Sequence, residues 1–147
     1  MFNAITNVFK QLIEGTNYQQ QGSNRSLAMA SLLCEVEGAD HQTASNEAKT
    51  KSALLTRLLG VSDEESQNLI VEAEEKVKKS ASLYDFTSQL RELSQEARFE
   101  LIKAMWEVAN ADGNIDPMEE AVIRKVAELL YVDHSEFIRA KLAVVEK

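Results

Sequence analysis

Apolar residues recur along this chain at three- and four-residue intervals, and no segment sustains the alternation of a half-buried strand. Phe2, Ile5, Val8, Phe9, Leu12 and Ile13 form one wide apolar face, which predicts an amphipathic helix over residues 1–14. GTNYQQQGSNR then breaks the pattern; polar and bracketed by Gly, it reads as a linker over residues 15–25. The helical spacing resumes at Ser26 with Met29, Leu32, Leu33 and Val36, and should stop between Gly38 and Asp40. A further helix fits residues 45–59, with Ala48, Leu55, Leu58 and Leu59 inward and Gly60 as a left-handed stop.

Punctuation marks the remaining elements. Ser62-Asp63-Glu64-Glu65 is a capping box, in which a hydroxyl and a carboxylate each accept a free amide; it opens a helix over residues 63–79. Ser82 and Asp85 give a weaker start for a short helix through Leu93. Ser94 caps the next, with Leu101, Ile102, Met105 and Ala109 on one face. Asp116 followed by Pro117 opens another, because Pro at the first helical position forfeits no hydrogen bond. Asp133 and Glu136 open the last, which runs to about Val145. The fold class is all-α, a helical bundle of about seven or eight helices.

An internal repeat organises these helices. EVEGADHQTASNE (35–47) aligns without gaps on EVANADGNIDPME (107–119), 72 residues later. Glu35, Val36, Ala39, Asp40 and Glu47 match Glu107, Val108, Ala111, Asp112 and Glu119. After one deletion LLTRLLGVSDEE resembles AELLYVDHSE. The domain over residues 26–147 is thus two related halves, about 26–80 and 94–147, expected to pack about a pseudo-twofold axis.

The segment NADGNIDPMEE resembles a calcium loop at first sight. With Gly113 at the sixth position of an EF-hand, the first ligand would be Val108, which cannot ligate and lies on an apolar helix face. His41 stands where the first copy needs that Gly. The EF-hand is therefore rejected. What remains in each copy is an Asp at a helix end and a Glu seven residues on, in the first turn of the next helix. An Asp at the negative end of a helix needs an offsetting charge. One reading is a divalent cation, Mg²⁺ or Ca²⁺ by the hardness of carboxylate oxygens, bound by Asp40 and Glu47 and by Asp112, Glu119 and Asp116. Glu35 and Glu107 rank second, being turned away on their helices unless a helix end unwinds or the other copy supplies the contact. His41 is read as an ordinary loop His rather than a transition-metal ligand. The rival reading is local: Glu119 closes a capping box with Asp116, and Glu47 pairs along its helix with Lys51.

Charge and composition narrow the partners. The 147 residues carry a net charge of −8, which repels a phosphate backbone and disfavours nucleic acid. With 44% hydrophobic and 27% charged residues, the chain has the balance of a soluble globular domain. The single Cys34 lies in an apolar run and reads as a buried thiol in a reducing compartment. The N-terminus lacks the pattern of a signal peptide, and no run approaches the roughly 20 apolar residues of a membrane span; the expected location is cytoplasmic. The N-terminal helix has one basic residue, Lys10, so packing on the domain or on a second copy is favoured over peripheral membrane contact. No catalytic triad, phosphate loop or zinc spacing is present, and an enzyme is not expected.

ADGNIDPMEE, the isoleucine-bearing helix after it and the LLYV stop resemble the TerB-like (tellurite-resistance TerB) superfamily. SLYDFTSQL and ELIKAMWEVANADGNIDPMEEAVIRKVAELLYVDHSEFIRAKL carry the likeness, over about residues 26–145. The first copy keeps Asp40 and Glu47 but lacks the Gly, the Ile and the second Asp of the motif. The resemblance implies an all-α fold of two three- or four-helix halves, acidic motifs that hold metal at Asp40, Glu47, Asp112, Glu119 and Asp116, and a link to bacterial stress and membrane-associated complexes. Related domains occur in membrane-anchored J-domain co-chaperones. The expected function is a non-enzymatic module that binds a divalent cation and a protein partner. The alternatives are a metal-free interaction scaffold (co-chaperone or membrane-complex adaptor) and, ranking last, a carboxylate-metal hydrolase.

Overall fold

A computed structural model describes residues 19–38, 45–79, 82–111 and 113–145. The helix expected over residues 1–14 lies outside them. Among the described residues there are seven helices and no strand: α1 (Gln19–Gly38), α2 (Ser45–Leu59), α3 (Asp63–Lys79), α4 (Tyr84–Thr87), α5 (Gln95–Ala109), α6 (Pro117–Leu129) and α7 (His134–Val145).

The predicted caps at Ser62, Ser82, Ser94 and Asp116 form. The Ser62 hydroxyl accepts from Glu65 N at 3.1 Å, Ser82 from Tyr84 N at 3.1 Å, and Ser94 from Ala97 N at 3.1 Å. Asp116 accepts from Met118 N at 2.8 Å. Helix ends are equally local. Gly60, with φ 68°, stops α2 through its N–H to Thr56 O at 3.1 Å. The end of α6 is a Schellman motif: Val132 N donates to Ala127 O at 2.8 Å and Tyr131 N to Glu128 O at 3.1 Å. Tyr131 holds the left-handed position there, at φ 58°.

Two expectations need correction. Residues 15–25 are not a linker throughout, because α1 already begins at Gln19. Gln and Arg are good helix formers, and the single Gly22 costs only about 1 kcal/mol, too little to break a helix held by packing. Arg25 is buried and its guanidinium meets Glu92 at 2.8 Å, which anchors that first part of α1. The short helix toward Leu93 ends at Thr87 and continues as tight turns, with Leu90 N on Thr87 O at 2.9 Å and Leu93 N on Leu90 O at 3.2 Å. Thr87, Leu90 and Leu93 are all buried, and a spacing of three suits a winding of three residues per turn.

The packing has the symmetry the repeat implies. α1 and α5 cross at the centre; α3 flanks α1 as α7 flanks α5. The contacts α1–α2, α2–α3 and α2–α5 are matched by α5–α6, α6–α7 and α6–α1. α4 stands outside the scheme, touching α1 and α6. Burial places the one-residue deletion after Leu58, at the helix stops Gly60 and Tyr131: up to there Leu54, Leu55 and Leu58 are buried, and so are Val126, Ala127 and Leu130, each 72 residues on. Neither half closes its own core. Met29, Leu32, Leu33 and Val36 of α1 share one cluster with Leu101, Ile102, Met105, Trp106 and Val108 of α5. This common core is what holds the loop that follows α5 at the end of that central helix.

Candidate acidic loop site

The loop between α5 and α6 is built by its own residues. α5 runs unbroken to Ala109, and Val108 is fully buried, so no calcium loop can start there. Gly113 N donates to Asn110 O at 2.9 Å, turning the chain, with Gly113 at φ 83°. No atom lies within 4 Å of where a Cβ at Gly113 would sit, so backbone conformation alone calls for glycine there. Ile115 packs on the core and brings the chain back to the start of α6.

There Asp116 and Glu119 form a reciprocal capping box. Glu119 Oε1 accepts from Asp116 N at 2.9 Å, as the local reading expects. Burial sets this Glu apart: Glu119 is 1% exposed, whereas Glu65, at the same position after Ser62, is exposed. Capping works at the surface and does not require burying a carboxylate, which carries a desolvation penalty. The neighbouring Glu120 is engaged elsewhere, with Lys141 Nζ at 3.0 Å and Arg124 at 3.4 Å.

Glu107 is not part of the loop. α5 does not unwind; instead α2 of the other half supplies the contact, and Arg57 meets the Glu107 carboxylate at 3.0 Å. Glu35, its repeat mate, lies in unbroken α1, half-buried. Leu129 stands 72 residues beyond Arg57, so the corresponding cation is missing from the other half. Burial accordingly pushes the Glu35 carboxyl above its ordinary value. Glu100 is raised as well, by burial first; Lys103 and Arg57 pull it down, while Glu107 and Glu96 push it up.

Asp40, Asp112, His41 and the side chain of Glu47 lie outside the described residues. Among the described residues no three His, Cys, Asp or Glu side chains gather as a metal-holding group. Asp116 and Glu119 come together; Glu35 and Glu107 do not join them.

Three residues matter more than the sequence suggested. Lys51 is 2% exposed, with Nζ 3.5 Å from the buried Cys34 Sγ. Arg98 donates to Leu93 O at 2.9 Å, Leu130 O at 3.1 Å and Arg91 O, tying the turn after α4 to the end of α6. Trp106, fully buried, packs on Phe137 at 5.2 Å between ring centroids. The repeat register was the available signal for Lys51, because it falls on the position of Ile123, a core residue. His134 is an exposed residue stacked on Phe137, at 5.9 Å between ring centroids.

A family model described as tellurite resistance protein TerB matches residues 26–142. No curated protein and no solved structure matches the chain.

Proposed function

The chain belongs to the tellurite resistance protein TerB family, and from that premise we propose that this helical module binds a divalent cation at the loop between α5 and α6. Asp112, Asp116 and Glu119 would hold the ion, and a hard cation, Mg²⁺ or Ca²⁺, fits their oxygens. The observation that carries the reading is the burial of Glu119 beyond what its capping role requires. A bound ion would add its own bonds to those of this buried carboxylate and fix the loop between the two helices. The ordered loop would then present a surface to a protein partner in a bacterial stress response. The module is proposed to be non-enzymatic and cytoplasmic; no helix among the described residues is long and apolar enough to cross a membrane.

Calorimetry and thermal melting with Mg²⁺, Ca²⁺ and Mn²⁺ test this. The wild type should bind one of these ions and melt higher with it, and Asp112→Ala should do neither. Absence of heat and of any melting shift with all three would remove the cation from the proposal. The second reading, a metal-free scaffold, is favoured by the capping bond from Asp116 N to Glu119 Oε1. It expects chelators to change nothing and Glu119→Gln to cost little, since a Gln carbonyl oxygen caps as well.

A further inference from the structure

Tyr131 is a residue the fold does not require. It stops α6 in the left-handed conformation, at φ 58°, against the steric cost of its Cβ. Gly60 makes the matching stop in the first half without that cost, at φ 68°. Tyr131 recovers little of it by packing, since it is 73% exposed. Strain of this kind is kept where a side chain serves contacts outside the core.

Tyr131 lines a hollow of about 330 Å³ between the start of α5, the end of α6 and the start of α7. Ligand sites begin at roughly 300 Å³, so this one suits a single side chain of a partner rather than a whole cofactor. Phe99, Glu96, Asp133, Glu136 and Arg139 share the lining. Arg139 shows what such a surface holds: its guanidinium lies 4.0 Å from the centroid of the Phe99 ring while it pairs with Glu136. Arg98, also in the lining, turns all three guanidinium nitrogens to main-chain carbonyls and has little left for an anion. Glu96 and Asp133 make no side-chain hydrogen bond or ion pair among the described residues. Helix starts favour carboxylates on their own, yet Ser62, in the place of Asp133, caps its helix through Glu65 N at 3.1 Å, and Asp133 makes no such bond. Leu27 and Gly60 stand in the places of Phe99 and Tyr131. The duplicated fold is thus made once without these rings and this carboxylate.

We propose that this hollow is the docking site for an arginine side chain from a basic segment of a protein partner, with the guanidinium on the Tyr131 ring and its donors on Glu96 and Asp133. Aromatic faces beside unspent carboxylates are the chemistry that takes a planar guanidinium. The net charge of −8 draws a basic segment toward the chain. Phe99 lies roughly 15 Å along α5 from the acidic loop, so the proposal does not rest on the cation reading of that loop.

The test is fluorescence polarisation in chelator with a labelled Gly-Arg-Gly-Arg-Gly peptide, capped at both ends, and with the same peptide carrying citrulline, a neutral isostere of Arg. The variants are Tyr131→Gly, Tyr131→Asn and Glu96→Gln/Asp133→Asn. Glu72→Gln/Glu74→Gln, which removes two exposed carboxylates of α3, controls for net charge. Gly and Asn both accept the left-handed backbone, so the Tyr131 variants should melt with the wild type or above it. The wild type should bind the Arg peptide and not the citrulline peptide. Each Tyr131 variant should weaken binding by roughly fivefold, the effect of one exposed cation–π contact. Glu96→Gln/Asp133→Asn should weaken it at least as much, while the charge control stays close to the wild type. No binding to the wild type, equal binding of the citrulline peptide, or folded Tyr131 variants that bind like the wild type would overturn the proposal. Equal losses in the two double variants would overturn it as well, because attraction to the net charge alone would then account for binding.

Discussion

At the scale of single residues, position relative to the partner half decides what each carboxylate does. Glu107 and Glu35 are repeat mates on matching helices. Glu107 meets Arg57 at 3.0 Å, and Glu35 has Leu129 in the place of that cation. The Glu35 carboxyl is therefore raised above its ordinary 4.5 by burial. A raised carboxyl favours the folded state while it is protonated, and that contribution is lost as pH climbs through the raised value. Glu35→Gln should consequently melt above the wild type at neutral pH, and the gap should close in acid near the ordinary carboxylate value. Melting curves against pH in metal-free buffer check this. A Gln variant that melts at or below the wild type at neutral pH would show that the ionised carboxylate is stabilised there.

At the scale of elements, caps and stops decide where helices begin and end, and most were legible because they are local. Ser62, Ser94, Asp116 and Gly60 each act within four residues of themselves. The beginning of α1 was not legible, because what holds it is Arg25 reaching Glu92 across the fold. The turns after Thr87 escaped for the same reason: the burial of Leu90 and Leu93 sets their winding. The repeat offers a matched pair of helix stops for experiment. Gly60 and Tyr131 both take the left-handed conformation, one at no steric cost and one against its Cβ. Gly60→Ala should cost about 1 kcal/mol, while Tyr131→Gly should be neutral or stabilise by up to about 1 kcal/mol. Denaturant unfolding distinguishes the two. A destabilising Tyr131→Gly would mean that the 73% exposed ring packs more usefully than its accessibility implies.

At the scale of the whole molecule, the duplication was legible in thirteen aligned residues, and the paired helix contacts follow it. The candidate site was legible only in part. Asp116 and Glu119 do share a helix start, but the burial of Glu119 depends on packing that no local pattern encodes. The burial of Lys51 was not legible for the same reason: nothing local in a Glu–Lys spacing of four marks a core position. Because α1 and α5 bury each other's apolar faces, neither half has a core of its own. A fragment of residues 82–147 should thus lack a cooperative thermal transition by circular dichroism, and mixing it with residues 1–81 should restore one. A fragment that melts cooperatively alone would contradict the shared core.

The central claim is that a divalent ion sits in the loop between α5 and α6, where a carboxylate is buried beyond the needs of a helix cap. Anomalous diffraction at the manganese edge, from crystals grown with Mn²⁺, tests it most directly. The account predicts a strong peak within bonding distance of Asp112 and Glu119 oxygens. Well-ordered loops with no peak, and Asp112 turned alone toward solvent, would contradict it.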